Sequence, residues 1–167
     1  NKLLQISEDG LTVEKCLDKT IESIVIPEKI TTINEFSFFD CKNLKRITFP
    51  DSLRYIYAFA FRGCCNLELL DFSKTELRNI GTAAFECCHN LSRVYFPESI
   101  SSINNCAFEK CNNLSDITSL PQKEIGIADN AFKGCPISDF THQSLNIKNN
   151  LVIKDNCVTG ITCVKPC

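Results

Sequence analysis

The chain has 167 residues, enough for one domain with a worthwhile core, and its 44% hydrophobic and 23% charged residues exclude an intrinsically disordered protein. The formal charge of −2 gives no reason to expect nucleic acid or an anionic membrane surface as partner. No apolar run approaches the roughly 18 residues of a membrane-spanning helix, so no membrane insertion is expected within this segment.

The first residue is Asn1 and no signal-peptide pattern follows it, which is the expectation for a processed or excised piece of a longer chain. In residues 1–20 two apolar-rich runs, LLQIS and LTVEK, flank Glu8-Asp9-Gly10, a turn signal of the hairpin kind. This predicts a small hairpin that caps the end of whatever follows.

From Ile21 the sequence repeats. A cysteine recurs at Cys41, Cys64, Cys88, Cys111 and Cys135, in steps of 23, 24, 23 and 24 residues. Three residues before each stands Phe38, Phe61, Phe85, Phe108 or Phe132, and eight before stands Ile33, Ile56, Ile80, Ile103 or Ile127. Asn-Leu pairs follow the first four cysteines and end in Leu44, Leu67, Leu91 and Leu114. Self-similarity at this period is the mark of a solenoid.

Each unit opens with a strand whose buried positions are the first, fourth and sixth, as in Leu44, Ile47, Phe49 and in Leu91, Val94, Phe96. Pro27, Pro50 and Pro97 then end the strand, because proline cannot donate to a sheet ladder. A second apolar pair, such as Leu53 and Ile56, turns the chain. In the closing Ala-Phe-x-x-Cys piece one helical turn would place Phe and Cys on one face. The fifth unit departs from the pattern, with Ser119 and Glu124 where apolar residues stand elsewhere. After Phe140 the repeat stops, and residues 141–167 are expected to form a C-terminal cap with a cysteine-containing tail.

The pattern L-x-x-I-x-F-P-x-S-I-x-x-I-x-x-x-A-F-x-x-C-x-N-L resembles the BspA-like leucine-rich repeat, also called the Treponema pallidum type, over residues 21–140. The resemblance implies an α/β-type repeat solenoid: a right-handed superhelix with a parallel concave sheet, irregular or short helical convex turns and capped ends. It also implies a non-enzymatic surface protein, secreted or displayed on the cell, with an adhesion or recognition role. An intracellular scaffold or adaptor in the cytoplasm is the alternative. Repeat folds host many functions, so the site must carry that argument.

Little in the sequence suggests chemistry. The two histidines, His89 and His142, have no nucleophile placed beside them, and His89 shares its repeat position with Lys42, Asn66 and Asn112, as a solvated loop residue would. The twelve cysteines lack the paired spacing of a zinc site. The five-cysteine column reads as buried thiols, whereas Cys157, Cys163 and Cys167 could bridge a cap. No glycine-rich phosphate loop is present. Neither a catalytic residue, nor a metal, nor a cofactor is expected. Asn90-Leu91-Ser92 and Asn113-Leu114-Ser115 match the glycosylation sequon, but these asparagines share a column with Asn43 and Asn66, and bonding to the backbone at the turn is the preferred reading.

What remains is the outward face of the strands. Stacked in register, their third and fifth positions bring together Arg46, Leu69, Asp71, Arg93, Tyr95 and Asp116. Such a mixture of arginine, aromatic and apolar groups is enriched at the energetic centres of protein interfaces. The expected partner is a protein or glycan ligand, met by a monomer; the alternative is a solvated sheet face on which Asp71 pairs across strands with Arg46 or Arg93.

Overall fold

The structure, a computed structural model, describes residues 3–137. The expected C-terminal cap, 141–167, with His142 and the tail cysteines, lies outside the described residues.

At the amino end β1 (Leu4–Ile6) and β2 (Thr12–Cys16) pair antiparallel through a turn in which Gly10 adopts φ 74°. Five turns follow, each contributing two short strands. They are β3 (Ser23–Val25) and β4 (Thr32–Ile33), β5 (Arg46–Thr48) and β6 (Tyr55–Ile56), β7 (Leu69–Asp71) and β8 (Asn79–Ile80), β9 (Arg93–Tyr95) and β10 (Ser102–Ile103), β11 (Asp116–Thr118) and β12 (Gly126–Ile127). β1 and the six even-numbered strands form one seven-stranded sheet in the order β1-β2-β4-β6-β8-β10-β12, parallel throughout except for the first pair. The remaining odd-numbered strands form a pair, β3-β5, and a separate parallel sheet, β7-β9-β11. The chain is thus a β-solenoid with sheet on two sides. The second sheet was not expected, because the apolar pairs such as Leu53 and Ile56 were read as a turn only.

Proline sets the corner between the two sheets. The carbonyls of Pro27, Pro50 and Pro97 accept from the amides three residues on, at 3.1–3.3 Å, and swing the chain from one sheet to the other. In the third turn Phe72 takes this role, and the Thr75 hydroxyl, buried, closes the same corner on the Phe72 carbonyl at 2.9 Å. That corner absorbs the extra residue of the 24-residue step. In the fifth turn Ser119 takes φ 64°, and Leu120 and Ile125 pack against the core. The apolar positions that looked vacant at Ser119 and Glu124 are therefore filled one residue later.

No helix occurs among the described residues, so the helical convex turns and the α/β character implied by the resemblance are not found there. The Ala-Phe-x-x-Cys piece is a run of single turns, each closed by a bond to the residue three back, as from Phe39 to Phe36 and from Cys41 to Phe38, both at 3.1 Å. Left-handed residues interrupt it twice in each of the first four turns and once in the fifth. Phe36, Phe59, Ala83 and Cys106 form one such column and Asp40, Gly63, Cys87, Lys110 and Gly134 the other. A left-handed L-residue cannot propagate an α-helix.

The core between the sheets is a set of ladders. Phe38, Phe61, Phe85, Phe108 and Phe132 stack at 4.8–5.2 Å with ring planes within 9° of parallel. Phe49 and Phe96 meet this stack edge-on. Beside it run the column cysteines, all free thiols. Each of Cys64, Cys88, Cys111 and Cys135 directs its Sγ at the carbonyl of the previous turn's phenylalanine, at 3.1–3.4 Å. Cys16, outside the sequence column, joins it: its amide donates to Ser37 at 2.7 Å and its thiol lies against Cys41.

Candidate binding face

Strand alternation decides what faces outward. In β7 the central Leu70 is fully buried while Leu69 is 40% exposed and Asp71 points to solvent. In β9 Val94 is buried between exposed Arg93 and half-buried Tyr95, and in β11 Asp116 and Thr118 flank Ile117.

The ladder sets Leu69 beside Arg93 and Arg93 beside Asp116, with Asp71, Tyr95 and Thr118 as the parallel row. Five of the six expected residues thus share one three-stranded sheet. Arg46 lies on the adjacent β5, in register with Ser23; the Glu68 amide donates to the Lys45 carbonyl at 3.1 Å between the two turns, although β5 and β7 share no further ladder. Among the described residues its guanidinium forms no ion pair.

Three side chains lock together at the centre. Arg93 Nε lies 2.6 Å from Asp116 Oδ2, and an Arg93 terminal nitrogen donates to the Tyr95 hydroxyl at 3.2 Å. The guanidinium sits 5.9 Å from the centre of the Tyr95 ring. The Tyr95 bond first, and then the Asp116 carboxylate, hold the proton on Arg93 more firmly than on an ordinary arginine. Thr118 donates to the other Asp116 oxygen at 3.0 Å, a partner the sequence reading did not select. The pairing of Asp71 with Arg46 or Arg93 that the solvated-face alternative carried is not made. Asp71 accepts instead from the Ser73 amide at 2.9 Å and the Ser73 hydroxyl at 2.6 Å, because a bond two residues along the chain needs no side-chain reach.

Two further expectations are corrected. His89 is half-buried, with Nδ1 3.0 Å from the Lys110 carbonyl, so it fastens adjacent turns and is not a free loop side chain. Asn90 bonds the Asn66 side chain at 3.0 Å, across the stack and not to backbone. One surface went unnoticed altogether. Phe36, Phe59, Tyr55 and Tyr57 gather on the other side of the solenoid. The available signal was three phenylalanines, Phe36, Phe39 and Phe59, outside the buried columns.

The BspA type leucine rich repeat region model matches residues 14–139 in six copies. The chain belongs to the BspA-type leucine-rich repeat family. Members of this family are generally binding modules. Among solved structures, the chain is similar to a leucine-rich repeat protein of T. pallidum at 22% identity, covering 81% of this chain and 88% of that one with a TM-score of 0.59. A leucine-rich repeat protein from Eubacterium ventriosum matches at 19% identity, over 90% of this chain and 54% of that one, with a TM-score of 0.54. A leucine rich cell surface protein from Faecalibacterium prausnitzii matches at 20% identity over 79% of this chain and 44% of its own, with a TM-score of 0.52. The BspA-type repeats here span about half the length of the last two proteins. At these identities the likeness is one of fold. No curated protein matches the chain.

Proposed function

We propose that this BspA-type repeat chain is a recognition domain, non-enzymatic, that binds a protein partner through the β7-β9-β11 face. The supporting observation is the Tyr95–Arg93–Asp116 cluster beside exposed Leu69. Arginine held by two partners loses little freedom on docking, and a ring and an aliphatic group beside it supply apolar area. A place on the cell surface fits the description of the Faecalibacterium neighbour as a leucine rich cell surface protein.

The test uses the immobilised full chain and surface proteins of the source organism and its environment. Arg93→Ala with Tyr95→Ala abolishes capture of the bound partner and leaves the melting curve unchanged, since both side chains lie outside the core. Equal capture by the double variant refutes the face.

A further inference from the structure

We propose that Cys65 carries a disulfide to one of the three C-terminal cysteines, and that this bond ties the chain after the last described turn back to the second turn of the solenoid. Cys65 is disulfide-bonded. Every other described cysteine, from Cys16 to Cys135, is a free thiol. A bond within the vicinal pair is therefore excluded, since Cys64 is free. Of the twelve cysteines in the chain, only Cys157, Cys163 and Cys167 remain to supply the second sulfur.

Burial sets Cys65 apart from its own column. It stands one residue after the repeat cysteine, at the position that other turns fill with exposed Lys42, half-buried His89 and exposed Asn112. Cys65 is only 5% exposed. The core does not ask for a cysteine here. Cys64 already fills the thiol column and turns its Sγ to the Phe38 carbonyl at 3.2 Å. The Cys65 Sγ lies instead 3.2 Å from the Gly63 carbonyl, and the residue is no part of the cluster that forms the core. Sulfur chemistry accounts for a cysteine at this position where packing does not.

Reach is no obstacle. Cys65 and the last described turn are three turns apart, about 14 Å at the spacing of stacked strands. The twenty residues from 138 to 157 extend to about 66 Å. The gain is at the end of the stack. A solenoid turn contacts only its neighbours, so the array opens from its ends. At this end Ile127, Ala128, Phe132 and Cys135 are only partly buried. A covalent tie to an inner turn closes a long loop and removes freedom from the unfolded chain.

The two thiols give up two protons and two electrons as their sulfur–sulfur bond forms. A disulfide-bearing oxidoreductase of an oxidising compartment takes up both and becomes a dithiol. The thiol column does not compete, because Cys64, Cys88 and Cys111 are fully buried and exchange needs an accessible thiolate. None of this rests on the Arg93 face, so the two readings stand or fall independently.

The test is disulfide mapping of the full chain, secreted into an oxidising compartment, denatured, blocked with N-ethylmaleimide and digested with trypsin, all without reductant. Cuts after Arg62, Lys74 and Lys154, with Lys165 protected by Pro166, put Cys65 in peptide 63–74 and all three C-terminal cysteines in peptide 155–167. The two peptides are expected as one linked species that separates on reduction, with maleimide on Cys64 and the link at Cys65. The undigested protein runs as a monomer on a non-reducing gel. Cys65→Ser removes the linked species and lowers the melting temperature by about 5–15 °C. In reductant the wild type melts with the variant. Maleimide on Cys65, a link from Cys65 to another repeat cysteine, or a disulfide-linked dimer in place of the monomer overturns the proposal.

Discussion

Arg93 binds Asp116 on the next strand of its own row, at 2.6 Å, and leaves Asp71 to Ser73. In a parallel ladder the residue directly opposite is nearer than the diagonal one, so the in-register pair wins. Both charges are largely in water, and the pair contributes little to stability. Its consequence is geometric. In a nitrogen-15 correlation spectrum near neutral pH the Arg93 Nε–H should give a resolved, slowly exchanging signal. Asp116→Ala should erase that signal and leave the melting temperature unchanged. A signal that survives the substitution would mean that Tyr95 alone holds the guanidinium.

The phenylalanine stack predicts a gradient of stability along the solenoid. Phe85 is fully buried with a ring on either side, whereas Phe132 lies at the end of the stack and is partly buried. Truncating a buried phenylalanine to alanine costs about 3–5 kcal/mol, through lost transfer energy and the cavity left behind. Phe85→Ala should fall in that range by urea denaturation. Phe132→Ala should cost markedly less, since water already reaches part of the ring. Equal losses would show that the stack does not weaken toward its end.

Most of the solenoid was legible because its buried columns recur. Phe38, Phe61 and Phe85 could be placed from spacing alone, and the outward positions Leu69, Arg93 and Tyr95 followed from strand alternation. The second sheet was not legible. Two-residue strands such as Tyr55–Ile56 and Asn79–Ile80 are too short to show an alternating period, and only stacking makes them a sheet. The break in the ladder between β5 and β7 was equally hidden, since Arg46 and Leu69 are spaced like any other pair in neighbouring turns. The places of Leu120 and Cys16 were not legible for a related reason. A left-handed Ser119 shifts the chain by one residue, and Cys16 enters the thiol column from a hairpin outside the repeat.

Close approach of turns makes one glycine less replaceable than another. At Gly81 an added Cβ would sit 2.6 Å from both the Ala58 nitrogen and the Tyr57 carbonyl carbon, which are backbone of the preceding turn. At Gly126, in the same sheet, the nearest atom would be 3.7 Å away. Overpacking that moves backbone costs about 1–3 kcal/mol. Gly81→Ala should therefore lower the urea midpoint by an amount in that range, and Gly126→Ala should not lower it measurably. Similar behaviour of the two variants would indicate that neighbouring turns separate easily.

The thiol column ties stability to alkaline pH. Burial first, and then the neighbouring Cys16, pushes the Cys41 thiol up to about 12, and burial raises Cys64, Cys88 and Cys111 as well. An unfolded chain releases these protons near the ordinary thiol value of about 8.5. The native state therefore holds more protons than the unfolded state above that pH, and stability falls as pH rises. The contribution is fully present below about pH 8.5 and, for Cys41, is lost progressively up to about pH 12. Each such thiol adds a slope of about 1.4 kcal/mol per pH unit inside its window. Urea midpoints compared at about pH 7.5, 9 and 10 should decline across the last two for the wild type. Cys41→Ala should start lower, because it opens a cavity, and then decline less steeply. Parallel curves for the two proteins would show that the Cys41 proton plays no part in the loss.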